Sequence, residues 1–246
     1  MLFLLKIIII MVPKILHYIW LGEEKPNIVK HCIKSFYKYC SDFKIIEWNE
    51  SNIDTSIYDP LLKYTYNKFY RHKEYAFCSD IARLYILKQY GGIYVDTDVE
   101  FIKHIPDDFL KTSFISKMAN NHLTVGAIWG AKQNDEVVNE LINIFIQKLD
   151  SGYRYKSQFI FDVLVNNYFK NIASNINIFN NDTIRIKNYT LYNCIYFSPI
   201  YSRLNINHIC DKTISIHYYS NLWKNKYPAN LDGYLKYKDD VNKNKE

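Results

Sequence analysis

The sequence predicts an α/β fold in which helices flank a mostly parallel, Rossmann-like sheet. Three observations lead to this class. Short apolar runs alternate with helical patterns, the first run, helix and run have the length of a βαβ unit, and a Gly-Gly pair joins the clearest helix directly to an apolar strand. The 246 residues are 48% hydrophobic and 23% charged, which is the composition of a globular domain.

The first half of the chain has the clearest element patterns. An apolar run at 14–20 predicts a buried strand, 26–39 a helix that begins at a proline, and 44–48 a second strand. A strand, a helix and a strand of these lengths form a right-handed βαβ unit. A further helix is expected at 59–70. Later strands are expected at 113–116, 125–130, 183–186 and 213–217, with helices near 134–149 and 157–169.

The segment 74–90 is the clearest helix pattern of all. Four apolar residues recur along it at helical spacing, namely Phe77, Ile81, Leu84 and Tyr85. Gly91 and Gly92 end the helix, because glycine adopts the backbone conformation of a C-terminal cap without steric cost. A strand is expected to follow at 93–96, so the residues after it lie at the carboxyl end of a strand.

The two ends of the chain differ from the stretch between them. Residues 1–10 are apolar apart from Lys6, but they are shorter than the roughly 20 residues that span a bilayer. They also lack the basic start and cleavage site of a signal peptide. We expect them to be an extension, an added strand or at most a weak membrane-surface anchor. The tail 236–246 is charged and solvated, and 11–235, which contains no linker, is expected to be one domain.

Charge and cysteine usage narrow the function and the compartment. The formal net charge of +6 comes from scattered lysines, which suits an anionic substrate, and no nucleic-acid-binding motif accompanies it. We therefore expect no nucleic acid partner. The cysteines form no C-x-x-C pair, which predicts free thiols and a cytoplasmic location. They are Cys32, Cys40, Cys78, Cys194 and Cys210.

Two aspartates follow the strand after the Gly-Gly pair. Because side chains alternate along a strand, Tyr94, Asp96 and Asp98 are expected to share one face, opposite Ile93 and Val95. Ligands of open α/β sheets bind at the carboxyl ends of the strands. Two adjacent carboxylates repel each other unless a cation joins them, and hard oxygen ligands favour Mg²⁺ or Mn²⁺. The alternative is a pair of solvated aspartates in a turn.

A second polar pair lies on the helix that leads into this strand. Asp80 and Arg83 are three residues apart, so their side chains point the same way. One interpretation is a local ion pair. The other is a polar pair at the floor of a ligand pocket, where the two side chains would hold sugar hydroxyls and diphosphate charge.

These motifs together resemble the sugar-binding D-x-D region of glycosyltransferase family 32. The resemblance is carried by VPKILHYIWLG, FKIIEWNESN and YAFCSDIARLYILKQYGGIYVDTDVEFIKHI, and it is dense over about 12–110. It thins afterwards to VGAIWGAKQND, NCIYFSP and SIHYYSNLW. It implies a GT-A fold, a UDP- or GDP-sugar donor, a Mn²⁺ or Mg²⁺ ion, a glycan or other hydroxyl acceptor and retention of the anomeric configuration. Bacterial or viral surface-polysaccharide biosynthesis is the role that the family suggests.

The resemblance also implies roles for the two polar pairs. Asp96 and Asp98 match the D-x-D residues, of which the second usually binds the metal directly and the first contacts the donor ribose or sugar. Asp80 and Arg83 match residues that contact the donor sugar. We expect these four residues to be the catalytic set.

Further site residues follow from the resemblance alone. Trp20 matches an aromatic residue near the nucleotide base, with a core aromatic residue as the alternative, and Tyr94 matches a neighbour of the donor. His217 and Trp223 match a C-terminal H…W element whose residues close over the diphosphate. His217 is therefore the candidate third metal ligand beside Asp96 and Asp98, with a hydrogen-bonded core histidine as the alternative.

The chain departs from the family pattern at two places. Tyr218 and Leu222 stand where a second His and a Ser are common, and the usual Gly-Pro segment is missing around 157–161. That segment often faces the acceptor, so acceptor choice does not transfer. His17 lies within the first strand and is expected to be structural.

Two other functions compete with the glycosyltransferase interpretation. A haloacid-dehalogenase-type phosphatase also carries D-x-D after a strand, with the first aspartate as nucleophile. It would leave the Asp80–Arg83 helix without a role. The other alternative is a degenerate, non-catalytic subunit that binds sugar nucleotides, for which the departures at Tyr218 and Leu222 leave room.

Overall fold

A computed structural model describes residues 11–152, 160–173, 175–201 and 206–220. The strands are β1 Ile15–Ile19, β2 Lys44–Trp48, β3 Gly92–Val95, β4 Val99–Phe101, β5 Ser113–Lys117, β6 Leu123–Ala131, β7 Ile184–Ile186, β8 Tyr189–Tyr192, β9 Ile200–Tyr201, β10 Ile206–Asn207 and β11 Ser215–His217. The helices are α1 Asn27–Tyr39, α2 Pro60–Arg71, α3 Tyr75–Tyr90, α4 Glu136–Asp150, α5 Ile160–Ile172 and the short α6 Cys194–Phe197. Two 3₁₀ turns lie at Thr55–Ile57 and Asp107–Lys111.

Seven of these strands form one mixed sheet, in the order β2-β1-β3-β6-β5-β8-β7. β1 pairs in parallel with both β2 and β3, and β5 pairs in parallel with β8. β6 is antiparallel to β3 and β5, and β7 is antiparallel to β8. Since only β6 and β7 are reversed, the mostly parallel α/β fold that the sequence predicts is confirmed. The carboxyl ends of β1, β2 and β3 lie at one edge of the sheet.

The sheet separates two apolar clusters. Alternation along β3 places Tyr94 in one cluster, with Trp129 and the buried side of α3. Ile93 and Val95 point into the other, against Phe114 and the elements on the opposite face. Aliphatic and aromatic side chains of this size stabilise a fold by about 1.5–3 kcal/mol each when fully buried. The strand that precedes the D-x-D sequence is therefore fixed from both sides.

Helix α3 is buried more completely than its sequence pattern predicts. Ile81, Leu84 and Tyr85 of the expected apolar face are buried, but so are Asp80 and Arg83 on the polar side. The helix contacts α2, α4, β1 and β3, so elements cover it on several sides. The burial of the second face was not predicted, because the periodicity of one face cannot show that another layer covers the other.

A second, two-stranded sheet joins the end of the described chain to the strand region of the D-x-D sequence. β4 pairs antiparallel with β11, which places His217 opposite Val99. The strand expected at 213–217 is confirmed, whereas β4, β8, β9 and β10 were not predicted. These four strands are two to four residues long, and local patterns do not distinguish strands of this length from loops.

His17 is part of the core. Its ring is fully buried on β1, where Nδ1 accepts a hydrogen bond of 3.0 Å from the Trp48 indole and Nε2 lies 2.8 Å from the carbonyl oxygen of Gly91. Both ring nitrogens are thus used within the protein. The structural role expected for His17 agrees with these contacts.

Several expectations concern segments outside the described residues, namely the apolar extension 1–10, the tail 236–246, and Leu222 and Trp223. Over the part of the chain that the structure describes, no helix is both long and apolar enough to cross a membrane. All five cysteines are free thiols, as their spacing predicts, and all but Cys210 are buried.

Candidate functional site

The two aspartates of the D-x-D sequence lie in a turn at the carboxyl edge of the sheet. β3 ends at Val95, and the backbone N–H of Asp96 still donates to Gly126 on β6, at 3.0 Å. The N–H of Val99 then donates back to the Asp96 carbonyl at 3.2 Å, which closes the turn. The expectation that strand alternation alone aligns both carboxylates was wrong for Asp98, because the turn and not the strand places it.

Asp98 is held by the segment that follows β11. Its Oδ1 lies 3.1 Å from Nε2 of His217, and its Oδ2 accepts hydrogen bonds of 2.8 Å from both the backbone N–H and the hydroxyl of Ser220. Burial alone would raise the pKa of Asp98, but His217 and Ser220 lower it to about 2. In turn, Asp98 raises the pKa of His217 above its usual value, against the effect of burial. Asp98 is therefore ionised over the working pH range.

Asp96 is held from the opposite side. Its Oδ1 accepts a 2.8 Å hydrogen bond from the Tyr94 hydroxyl and lies 3.5 Å from Nη2 of Arg83. Its carboxylate packs on Gly126, where an added β-carbon would overlap the Oδ2 atom. Burial and the nearby Asp98 raise the pKa of Asp96, which Arg83 opposes. A cation between Asp96 and Asp98 would relieve this repulsion.

Arg83 links the two polar pairs. Its Nη2 makes a 2.8 Å ion pair with Asp80, and its guanidinium lies 4.4 Å from the centre of the Tyr94 ring. Both the Arg83 and Asp80 side chains are less than a tenth exposed. Arg83 thus forms the local ion pair with Asp80 that the sequence allowed. The same guanidinium also approaches Asp96, which agrees with a polar pair at the floor of the site.

A further carboxylate, Asp162, reaches this region from α5. Its Oδ1 accepts a 2.9 Å hydrogen bond from the backbone N–H of Val125, next to Gly126 on β6. Burial raises the pKa of Asp162 to about 6, and the charges that act on it are those of Arg83, Asp96 and His217.

Asp96, Asp98 and His217 are suited to hold a divalent cation. One ligand atom from each lies within 4.8 Å of the others. Within the described part of the chain, Nδ1 of the buried His217 ring has no hydrogen-bond partner, although buried polar atoms normally have one. Two carboxylates and one imidazole are ligands that Mn²⁺ accepts. The residues therefore fit the ion that the sequence predicts.

The local charge also favours a cation. Four carboxylates lie in this region, those of Asp80, Asp96, Asp98 and Asp162, whereas Arg83 and His217 are the cationic groups that act on them. The carboxylates outnumber these cationic groups, so the site is acidic.

Trp20 lies at the same edge of the sheet, one residue beyond β1. The pairing of His17 with Tyr94 sets β1 beside β3, so Trp20 and Asp96 both follow the carboxyl ends of neighbouring strands. The Trp20 ring is partly buried, and its indole donates to the Glu23 carbonyl at 2.7 Å. It lines an open groove of about 480 Å³, together with Gly22, Lys25, Glu47, Asn49 and Glu50.

The structure thus brings together most of the predicted site residues and adds three that sequence reasoning missed. Asp80, Arg83, Tyr94, Asp96, Asp98 and His217 are connected by the contacts above, and Trp20 lies along the same edge. The missed residues are Gly126, Asp162 and Ser220. No local sequence pattern marks these three residues as functional. Ser220 does lie three residues after His217, in a segment that the resemblance covers.

Residues 26–117 match a family model described as the glycosyltransferase sugar-binding region containing a DXD motif. This segment includes the Asp80–Arg83 pair and both aspartates of the turn. The predicted resemblance to glycosyltransferases of the DXD type is confirmed and favours this class over the phosphatase alternative. Membership of family 32 in particular stays a prediction.

Three proteins that this chain resembles are described as glycosyltransferases. An uncharacterized glycosyltransferase of Acanthamoeba polyphaga mimivirus is 29% identical over 156 residues, which cover 58% of this chain and 59% of that protein. The solved PaToxG glycosyltransferase has a TM-score of 0.53 at 18% identity, over 65% of this chain and 70% of its own. The UDP-bound glycosyltransferase domain from the YGT toxin has a TM-score of 0.43 at 12% identity, over 65% and 68%. The likeness to the PaToxG glycosyltransferase confirms the GT-A fold.

Proposed function

We propose that this protein is a metal-dependent glycosyltransferase that moves a sugar from a nucleoside-diphosphate sugar to a hydroxyl group of a glycan or other acceptor. The observation that carries the proposal is the convergence of Asp96, Asp98 and His217 within 4.8 Å, beside the buried Asp80–Arg83 pair. A DXD-type family region and a GT-A fold support it. We propose that 11–235 form one catalytic domain, since β11 completes the site on β4.

The metal would be Mn²⁺ or Mg²⁺. Asp98 and His217 would bind it directly and Asp96 would bind it directly or through water. When bound, such an ion neutralises the charge that develops on a leaving diphosphate. Ser220 and Tyr94 hold the two carboxylates in place by hydrogen bonds, so the ligands are oriented before any ion arrives.

Arg83 and Asp80 are proposed to bind the donor sugar and diphosphate. The Arg83 guanidinium is fixed by Asp80, by Asp96 and by the face of the Tyr94 ring, so its position costs no reorganisation during the reaction. Its positive charge would offset the negative charge that develops on a bound diphosphate. Asp80, less than a tenth exposed, presents a carboxylate that can accept hydrogen bonds from sugar hydroxyls.

The groove beside Trp20 is proposed to take the nucleoside. Its volume of about 480 Å³ lies in the usual range of small-molecule pockets, and it adjoins the same edge of the sheet. The indole ring can contact a base, and Asn49, Glu47 and Lys25 supply polar groups. Trp223 would complete the closure over the diphosphate; it belongs to this proposal only through the family pattern.

Retention of the anomeric configuration is proposed from the resemblance. Front-face attack by the acceptor and a covalent intermediate both remain compatible with it. A role in surface-polysaccharide assembly and a cytoplasmic location, supported by five free thiols, are part of the same proposal.

A turnover assay tests this function. The purified protein is incubated with UDP-glucose, UDP-galactose, UDP-N-acetylglucosamine and GDP-mannose, with Mn²⁺ or with EDTA, and release of nucleoside diphosphate is followed with water and with methyl glycosides as acceptors. We expect one donor to be consumed with Mn²⁺ and not with EDTA. Donor binding without turnover in any combination would favour the non-catalytic alternative. Phosphate release with a trapped aspartyl phosphate would favour the phosphatase.

A further inference from the structure

Asp162 is a carboxylate of the site that neither the D-x-D sequence nor the family resemblance assigns. It lies in the first turn of α5, and α5 packs against β6. The N–H of Val125 holds its Oδ1, and the next residue of β6 is Gly126, which supports the carboxylate of Asp96. Two consecutive residues of β6 therefore contact Asp162 and Asp96.

The groups that face Asp162 come from three different elements. Burial raises the pKa of Asp162, and the charge of Asp96 at the end of β3 adds to this. The N–H of Val125, Arg83 on α3 and His217 on β11 lower it, and the resulting pKa is about 6. It is ionised at neutral pH for this reason. Asp162 is thus a partly buried anion that belongs electrostatically to the proposed donor site.

The carboxylate has hydrogen-bonding capacity that the described residues do not use. An ionised carboxylate offers two oxygens with about four acceptor positions. Among the described residues, the N–H of Val125 is the one donor to it, through Oδ1. The acceptor positions of partly buried carboxylates are normally occupied by hydrogen-bond donors. Asp162 is therefore suited to accept a hydrogen bond from a ligand.

The chemistry of that ligand follows from the charge. A phosphate group would be repelled by Asp162, and a metal ion would be shared with the other ligands. Asp162 does not belong to the group formed by Asp96, Asp98 and His217, the one such group within the described segments. A hydroxyl group donates to a carboxylate without either conflict, and each sugar carries several.

We propose that Asp162 is a substrate-binding residue that accepts a hydrogen bond from a sugar hydroxyl in the site. This inference rests on the proposed glycosyltransferase function and extends it to a residue outside the D-x-D region. The hydroxyl belongs either to the sugar of the donor or to the acceptor, since both must meet beside Asp96 for transfer to occur. Asp162 would orient that sugar relative to the diphosphate.

The substitution Asp162→Asn tests the proposal because it removes the charge and retains an oxygen for the N–H of Val125. Asn166→Ala is the matched control. Asn166 lies one turn later on α5 and ties the same strand through two hydrogen bonds of 2.9 Å with the backbone of Leu123, so it joins helix and strand without adding a charge. Both variants are compared with the wild type in thermal unfolding, in calorimetric titration and in turnover with Mn²⁺ and the donor found above.

Asp162→Asn is expected to lower kcat/KM about tenfold or more, the size of one lost charge-assisted hydrogen bond, while the affinity for UDP or GDP with Mn²⁺ changes less than about twofold. If the hydroxyl is that of the donor, binding of the intact nucleotide sugar and its hydrolysis by water also weaken. If it is that of the acceptor, hydrolysis is retained and only transfer to the methyl glycoside falls. Asn166→Ala is expected to lower the unfolding temperature with a smaller change in kcat/KM.

Two results would overturn the inference. One is a kcat/KM for Asp162→Asn within about twofold of the wild type, and the other is an equal loss of kcat/KM in Asn166→Ala, which would make the role of Asp162 structural. Both leave the proposed function standing, because the wild type is active in them. A wild type that consumes no nucleotide sugar removes the proposed function and this inference with it.

Discussion

The carboxylate of Asp96 lies directly on the backbone of Gly126, and no side chain fits between them. Gly126 is on β6, and its carbonyl also accepts the backbone N–H of Asp96, at 3.0 Å. The two contacts fix the first aspartate of the turn in both main chain and side chain. A glycine in the middle of a strand is otherwise unfavourable, so close approach of the carboxylate accounts for it here.

The first prediction is that Gly126→Ala disables the site. The new β-carbon would displace the Asp96 carboxylate, and a misplacement of about 1 Å at a reacting centre can cost about 100-fold in rate. We expect kcat/KM to fall by about that factor and Mn²⁺ affinity to weaken. Gly130→Ala is the control, since it lies on the same strand and would overlap the Phe114 ring instead. It should lower stability and leave Mn²⁺ affinity near the wild-type value; equal Mn²⁺ affinity in both variants would contradict the account.

The second prediction concerns Ser220. Its hydroxyl and N–H both donate to Oδ2 of Asp98, so Ser220→Ala removes one of two hydrogen bonds from a proposed metal ligand. Loss of a partner that orients a ligand typically weakens metal binding about 10–100-fold. We expect the lower end for Mn²⁺, about tenfold, because the backbone N–H remains. Ser220→Thr, which retains a hydroxyl, should recover most of the affinity in a Mn²⁺ titration. Unchanged affinity in Ser220→Ala would show that the contact does not orient Asp98.

The third prediction concerns Tyr218, which stands where the family commonly has a second histidine. Its hydroxyl donates to the buried carboxylate of Glu100, and its N–H donates to the Asp98 carbonyl at 3.0 Å. Tyr218→Phe deprives a buried anion of a donor, so we expect a loss of about 1–3 kcal/mol in the free energy of unfolding, measured with urea. Tyr64→Phe, at a ring that is 64% exposed, should change it by less than about 0.5 kcal/mol. Equal stability of the two variants would show that the Glu100 contact contributes nothing.

The fourth prediction is a pH dependence of stability that comes from His17. Burial lowers its pKa to about 4, and Nδ1 must stay unprotonated to accept the Trp48 N–H. The unfolded state, with a histidine pKa of about 6.5, binds a proton first as the pH falls, so the contribution of neutral His17 is lost from about pH 6.5 to about pH 4. Over that window we expect about 3 kcal/mol of stability to disappear.

Asp162 acts in the opposite direction over part of this range, because a carboxyl pKa raised to about 6 favours the folded state as the pH falls. The His17 effect is therefore measured as a difference in urea unfolding between the wild type and His17→Gln at pH 7 and pH 5. The gap between them should narrow at pH 5. A gap that is constant or widens would mean that His17 is not neutral in the folded state.

Much of the fold was predictable because its information is local. The apolar runs of β1 and β2, the helical periodicity of α1 and the Gly-Gly end of α3 are each visible within a few residues. The strands that were missed are β4, β8, β9 and β10, which are two to four residues long. Of these, β4 and β8 depend on partners distant in sequence. No local pattern contains that pairing.

The site divides in the same way. Asp96 and Asp98 could be predicted from the sequence because they are two residues apart and form a recognisable motif. Gly126, Asp162 and Ser220 approach them only through tertiary contacts. The explanation for Asp98 by strand alternation failed because β3 ends at Val95, one residue before the turn. Alternation describes a strand only as far as its hydrogen bonds continue.

The most direct test of the central claim is a calorimetric titration of UDP- and GDP-sugars into the wild type and Asp98→Asn, with Mn²⁺ and then with EDTA. Asp98 is ionised, accepts from Ser220 and lies 3.1 Å from His217, so it is the ligand on which a metal-bound diphosphate most depends. We expect one nucleotide sugar to bind the wild type with Mn²⁺, and we expect EDTA and Asp98→Asn each to abolish this binding. Binding that is equally tight in EDTA, or in a folded Asp98→Asn variant, would contradict a metal-dependent donor site.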